Sequence, residues 1–257
     1  MNQAARQNRS RLRSRRGPKV IGAMVWLTLA SLVAAPAASA SGGGPKIGGL
    51  WLLDEGSGQV AREWSGNANN GTLGSTASVD ANDPTWIPGA YRGTKALSFG
   101  GDDFVSVPNS PSLESARVTV GAVVRSSSPG PFRYVASKGA LQCQTASYGL
   151  YTGASGGLSF YVSDGLSYTL SPDAGVNVWD GRWHLVAGTF DGATVRLYVD
   201  GSQVGTGSPS TIVTNYGMPD ENRFFIGAYG GPCPTPLGFV GDIEAVGVLQ
   251  DVVNWHP

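Results

Sequence analysis

The stretch 180–204, DGRWHLVAGTFDGATVRLYVDGSQV, leaves few folds open to this chain. Over residues 182–190 the side chains alternate, with Trp183, Leu185, Ala187 and Thr189 on one side. Over residues 194–199, Val195, Leu197 and Val199 fall on one side, Arg196 and Tyr198 on the other. Successive side chains of a strand point to opposite faces, so each run predicts a strand with one buried face. Asp191-Gly192 separates the runs and Asp200-Gly201 follows the second. Asp-Gly supplies the positive φ that a tight hairpin turn requires. A helix fits poorly: the apolar period is two, and Gly181, Gly188, Gly192 and Gly201 interrupt the segment.

The same punctuation runs the length of the chain. Strands are predicted over residues 47–53, 95–99, 104–107, 117–125, 132–138, 148–152, 158–162, 166–170, 223–228 and 239–249, between clusters of Gly, Ser, Asn and Pro. In 117–125 the alternation is clean, with Val118, Val120, Ala122 and Val124 on one face. Residues 74–92 read as a long surface loop carrying Trp86. Many short strands with regular turns, no helix of any length and no fixed-period repeat predict an all-β antiparallel sandwich or barrel.

The first forty residues stand apart. Residues 1–19 carry seven basic residues (Arg6, Arg9, Arg11, Arg13, Arg15, Arg16 and Lys19) and no acidic one. An apolar run over 20–35 follows, then Ala38-Ser39-Ala40. These are the parts of a secretory signal, with cleavage between Ala40 and Ser41. A membrane anchor is the competing reading, but a run of 16 residues is short of the ~20 needed to span a bilayer. Ser14-Arg15-Arg16 hints at twin-arginine export, without the apolar pair usual after it. The expected organisation is a signal over 1–40, a flexible leader over 41–46, one β domain over 47–250 and a tail over 251–257. Of 18 basic and 18 acidic residues, the signal holds seven basic ones, so the remainder is acidic, at about −7. That balance argues against nucleic acid or an anionic membrane as partner, and the expected location is extracellular. In such a compartment Cys143 and Cys233 read as one disulfide, with two buried thiols as the alternative.

Trp183-His184, then the turn from Ala187 to Gly192, then Arg196-Leu197-Tyr198-Val199-Asp200-Gly201, resemble the central hairpin of laminin-G-like jelly-roll domains of the concanavalin-A-like lectin/glucanase group. So do Trp51 followed by Asp54-Glu55-Gly56-Ser57-Gly58, the turn cluster over 65–73, and Phe239-Val240-Gly241-Asp242-Ile243 near the end. The closing strand departs from the usual Asp-Glu-Val-Arg-Val, reading Glu244-Ala245-Val246-Gly247-Val248. The resemblance spans 47–249 and implies a two-sheet antiparallel jelly-roll sandwich. The fold hosts lectins, glycan-active enzymes and adhesion modules alike, so function has to be read from the site.

Relatives with glycosidase activity carry Glu-x-Asp-x-Glu on one strand, and this chain has no such triplet. Its adjacent acids, Asp54-Glu55, Asp102-Asp103 and Asp220-Glu221, sit in turns, where neighbours point apart. The histidines are His184 and His256, and there is no Gly-x-Ser-x-Gly elbow. His184 reads as a packed strand residue. Ser171-Pro172-Asp173-Ala174-Gly175 begins like a sialidase Asp-box but reads equally as a turn, since Trp179 comes one position late.

The resemblance also implies calcium in two rim loops, yet the loops 139–147 and 228–233 contain no carboxylate. It implies instead that a Cys143–Cys233 bridge clamps them. An ion elsewhere, at Asp54 and Glu244, requires the first and last strands to pair. Tyr148, Tyr151, Tyr168, Tyr216 and Tyr229 lie in or beside loops near that bridge, and aromatic faces with polar neighbours suit sugar rings. Core packing is the plainer reading of any one of them. The expected function is a secreted, non-catalytic module that binds carbohydrate. The alternatives are an interaction module for a surface protein or cell wall, and a glycan hydrolase with unrecognised carboxylates.

Overall fold

The computed structural model describes residues 46–231, 233–234 and 237–253. The expected signal with its Ala40–Ser41 cleavage point, and His256, lie outside them. Seventeen strands follow one another among the described residues: β1 (Ile47–Trp51), β2 (Val60–Ala61), β3 (Gly71–Leu73), β4 (Thr85–Pro88), β5 (Lys95–Gly100), β6 (Val105–Val107), β7 (Val118–Arg125), β8 (Tyr134–Ala140), β9 (Tyr148–Thr152), β10 (Leu158–Ser163), β11 (Tyr168–Leu170), β12 (His184–Phe190), β13 (Thr194–Val199), β14 (Ser202–Gln203), β15 (Ser208–Pro209), β16 (Glu221–Ile226) and β17 (Val240–Leu249). Two three-residue 3-10 turns, Pro111–Leu113 and Val176–Val178, are the helical elements described. No helix among the described residues is long and apolar enough to cross a membrane.

The strands form two antiparallel sheets. One runs β14-β13-β12-β7-β17-β5-β4, with β1 added beside β17 and β15 beside β13; the other runs β11-β10-β9-β8-β16-β6-β3-β2. This is the jelly-roll sandwich that the turn spacing and the resemblance implied. Alternating residues of both sheets meet in one core. Val118, Val120, Ala122 and Val124 of β7 share this core with Leu158, Phe160 and Val162 of β10, and Trp51 stacks on Phe224 at 5.2 Å.

Two expectations are corrected. The stretch 74–92 is not wholly loop: Thr85–Pro88 pairs with β5, and Trp86 packs on the core while its indole N–H donates to the Gly58 carbonyl. In β12 the core face is Val186, Gly188 and Phe190, not the side bearing Leu185, Ala187 and Thr189. The reason is Gly188. A β-carbon there would overlap the Phe160 side chain, so the opposite sheet fills that core position and the sequence shows a gap in the alternation. The other face of β12 is buried as well, with Ala187 at 1% and Thr189 at 0% exposure, which removes the polar contrast that reveals a face.

His184 is held rather than merely packed. Its Nδ1 lies 2.8 Å from Asp200 Oδ2 and its Nε2 3.1 Å from Asp180 Oδ1. The turn before β12 and the turn after β13 are thus tied through one imidazole.

Candidate functional site

The outer face of the second sheet is where strand parity collects aromatics. Tyr148 and Leu150 of β9, and Phe160 and Val162 of β10, face the core, so Tyr151 and Tyr161 between them face outward. Tyr134 opens β8 on the same side. Its ring stacks on Tyr151 at 5.1 Å and meets Tyr161 edge-on at 6.4 Å, and Tyr168 of β11 continues the series 6.0 Å from Tyr161.

The chain leaving β16 returns across this face. Ser137 Oγ donates to the Ala228 carbonyl, and the Tyr229 ring lies 5.1 Å from that of Tyr134. The Tyr134 N–H donates to the Leu237 carbonyl. Cys233 is bonded to Cys143, with α-carbons 5.6 Å apart, inside the range a disulfide requires. The pairing read from compartment therefore holds. Beneath the crossing chain sits a second, smaller core: Tyr134, Ala140, Ala146, Tyr151, Tyr161 and Tyr229.

Three of its four tyrosine hydroxyls, those of Tyr134, Tyr161 and Tyr229, have partners. Tyr161 accepts from the Ala146 N–H at 2.8 Å and pairs with the Tyr134 hydroxyl at 3.0 Å. Tyr229 accepts from the Leu141 N–H and donates to the Thr145 carbonyl. Burial pushes Tyr151 and Tyr229 up to about 12 and Tyr134 and Tyr161 upward too, so all four are neutral at physiological pH.

The five tyrosines singled out from sequence therefore separate. Tyr151, Tyr168 and Tyr229 share the outer face, joined through Tyr134 and Tyr161, which sequence reasoning passed over. Tyr148 is fully buried on the core side and donates to the Leu113 carbonyl. Tyr216 packs edge-on against it and donates to the Ser115 carbonyl. Beside that pair Lys138 is buried, its ammonium on Asn109, Glu114 and the Asn222 carbonyl; burial holds its pKa below the usual lysine value despite Glu114. Burial takes Tyr148 out of reach of an external ligand. Tyr168, at 55% exposure, is the open end of the series.

On the other flank of the crossing chain opens a cleft of about 300 Å³, lined by Asn82, Gly101, Asp102, Phe104, Tyr229, Cys233, Leu237 and Gly238 among others. Phe104 is its exposed-side aromatic wall and packs edge-on against Phe225 at 5.8 Å; the Arg223 guanidinium covers Phe225 in turn. The Asn82 amide donates to the Asp102 carbonyl and fixes the loop that holds both polar groups. Asp103, next in the chain, is tied to the Gly100 N–H; burial, then the charges of Asp102 and Asp83, hold its carboxyl above the usual range. The disulfide is thus part of the wall.

The two loops that hold calcium in similar domains supply no carboxylate of their own here, and the bridge joins them, so their donor set does not fit that ion. β1 pairs with β17 as far as Trp51↔Val246, and the Asp54 charge acts on Glu244. Glu244 is 2% exposed and accepts from the Ala90 N–H, while Asp54 is exposed.

The family model described as Laminin_G_3, of the concanavalin A-like lectin/glucanases superfamily, matches residues 99–256. No curated protein matches the chain. Among solved structures, domain 4 of AbnA, an extracellular arabinanase from Geobacillus stearothermophilus in complex with arabinotriose, is similar with a TM-score of 0.59 at 14% identity, over 80% of this chain and 93% of that one. The sialidase of Trypanosoma rangeli is similar with a TM-score of 0.54 at 18% identity; 90% of this chain is covered, but only 36% of the sialidase. At these identities the likeness is one of fold.

Proposed function

This chain belongs to the concanavalin A-like lectin/glucanases superfamily, and on that premise we propose that it is an exported, non-catalytic module that binds carbohydrate in the cleft beside the disulfide. The observation that carries this reading is the cleft's lining. Phe104 offers an aromatic face, Tyr229 and Leu237 an apolar back wall, and Asn82 and Asp102 offer polar groups at the mouth. A sugar ring presents C–H faces and hydroxyls together, and needs that combination. A volume of about 300 Å³ suits one or two rings rather than a long chain.

The non-catalytic part rests on the carboxylates. Glycosidases need two acids facing each other across the scissile bond. Asp102 and Asp103 are consecutive, and the second is bound to its own loop. Export rests on the composition of residues 1–40.

A glycan array probed with the wild-type protein and with Phe104→Ala tests the binding reading. Saturable binding to a defined glycan, lost in Phe104→Ala, is the expected result. A silent array, or equal binding by the variant, overturns it and moves the module to protein or cell-wall recognition. Reducing-sugar release from polysaccharides would overturn the non-catalytic reading. Intact mass of exported protein beginning at Ser41 checks the cleavage.

A further inference from the structure

The cleft beside the disulfide is charged as well as shaped. Asn82, Asp102 and Phe104 reach it from two loops, 74–84 and 100–104. The Asn82 amide donates to the Asp102 carbonyl and the Phe104 N–H to the Asn82 carbonyl, so the two loops are tied as one wall. That wall carries Asp80, Asp83, Asp102 and Asp103 and no Lys or Arg. Three of the four are held by backbone N–H groups: Asp80 by Ser75 and Asn82, Asp83 by Asp80, and Asp103 by Gly100. Asp102 is the exposed one, and it lines the cleft.

These acids outnumber the cations around them. None of the four forms an ion pair among the described residues. Of the arginines beside the cleft, Arg223 is neutralised by Glu221 at 2.6 Å, and Arg133 donates to the Gly238 carbonyl at 3.3 Å. Counting Arg133 against them still leaves the carboxylates in excess. Asp220, held by the Gln142 N–H, adds a further negative charge that acts on the Tyr229 hydroxyl. Asp103 registers the excess: burial first, and then the charges of Asp102 and Asp83 working against the Gly100 hydrogen bond, hold its carboxyl above the usual range. A cleft lined by one sign of charge focuses its field on whatever enters. A carboxylated or sulfated sugar would bring like charge against Asp102, which is costly. A hydroxyl can donate to Asp102, but an ammonium in the same place makes the stronger, charge-assisted bond.

We propose that the cleft selects amino sugars: a hexosamine with a free amine sets its ammonium on Asp102 and its C–H face on Phe104, in preference to the neutral sugar and to the exclusion of uronates. Asn82 Oδ1 completes the contact. Its approach to the Ser75 hydroxyl is long, at 3.5 Å, so it can accept from a ring hydroxyl. An amine and a hydroxyl occupy nearly the same space, so shape does not separate the two sugars and charge does. A single exposed ion pair gains little in water. Here the gain comes from several uncompensated acids around one site, beside an aromatic wall that displaces water. The proposal rests on the glycan reading and names the sugar class within it.

The test is calorimetric titration of the full protein at mildly acidic pH, where the amines are protonated. Three β-1,4-linked dimers of like size serve as probes: of glucosamine, of glucose and of glucuronate. The glucosamine dimer should bind about tenfold tighter than the glucose dimer at low salt, and the gap should close as salt screens the field. The glucuronate dimer should not saturate. Asp102→Asn should bring the glucosamine dimer to the glucose level and leave the glucose dimer unchanged, while Phe104→Ala should abolish both. If the glucosamine and glucose dimers bind alike, or the glucuronate dimer binds tightest, charge selection is wrong while the glycan reading stands. If no dimer binds and the glycan array is silent as well, the glycan reading fails and takes this one with it. Trilysine is the control for bare cation binding. Should it match the glucosamine dimer, with neither weakened by Phe104→Ala, the acids merely hold cations at an open surface and the proposal is overturned. Should Asp102→Asn not fold, the salt series and the three dimers decide on the wild type.

Discussion

The two faces of the eight-stranded sheet are packed by different means. The inner face meets the other sheet, and its core is Leu, Val, Phe and Trp from strands far apart in the chain. The outer face carries a core a few residues wide, four tyrosines and two alanines, under a single crossing segment. The first is stable because many strands contribute apolar area and no single group decides it. The second has too little area to hold itself. It relies on hydroxyls that satisfy backbone groups and on one covalent bond. Inner-face changes should therefore damage the whole molecule, and outer-face changes should damage the rim alone.

The largest effect should come from the inner face. Phe160→Ala removes a fully buried ring that packs directly over Gly188, at an expected cost of about 3–5 kcal/mol. Urea denaturation should show one cooperative transition moved to lower midpoint with all probes coincident. If rim fluorescence and far-UV signal separate instead, the two cores are less distinct than argued.

Next is the bridge. Cys143→Ala opens a loop of 90 residues, with an expected loss of roughly 2–4 kcal/mol. Hydrogen exchange should rise over residues 139–147 and 228–231 and stay protected in β7 and β12. Uniform loss of protection would show that the rim is integral to the main core.

A smaller effect isolates the hydroxyl contribution. Tyr161→Phe keeps the ring but leaves the buried Ala146 N–H without its acceptor and Tyr134 without its partner. The expected cost is about 1–3 kcal/mol, as for an orphaned buried donor. No change in melting temperature would mean that packing alone holds the outer face.

Much of this contrast was legible in the residues, and the rest was hidden for physical reasons. Strand positions followed from period-two alternation and from Asp-Gly turns, and the bridge followed from compartment and count. Parity within a strand could also have sorted the tyrosines: Tyr148 shares a face with Leu150 while Tyr151 does not, so one had to be core. Tyr134 and Tyr161 could have been added by the same rule. Gly188 defeated the rule, because its core position is filled by Phe160 from the other sheet. Nothing local signals that the chain after β16 folds back over its own sheet, nor that Glu244 sits at a bulge. Both depend on which strands are neighbours.

The last prediction sets the covalent tie against an ionic one. The hairpin of β12 and β13 is closed by His184 between Asp200 and Asp180. Burial pulls the His184 pKa down, but the hydrogen bonds to Asp200 and Asp180 and their charges outweigh it, and the net direction is upward. A folded-state pKa above the unfolded one means that the folded state holds its proton more tightly. The stabilisation is fully present below the ordinary histidine value of about 6.5, and is lost as pH rises through the raised value. The disulfide, by contrast, does not titrate in that window. The wild type should therefore lose stability on going from mildly acidic to mildly alkaline pH. His184→Gln should start lower and show a flatter profile, and the fall should persist in Cys143→Ala. His184 is the sole histidine among the described residues, so a pH-jump series of urea midpoints reads it directly. An equal slope in His184→Gln would show that the imidazole is neutral in the folded state and that its two carboxylates merely orient it.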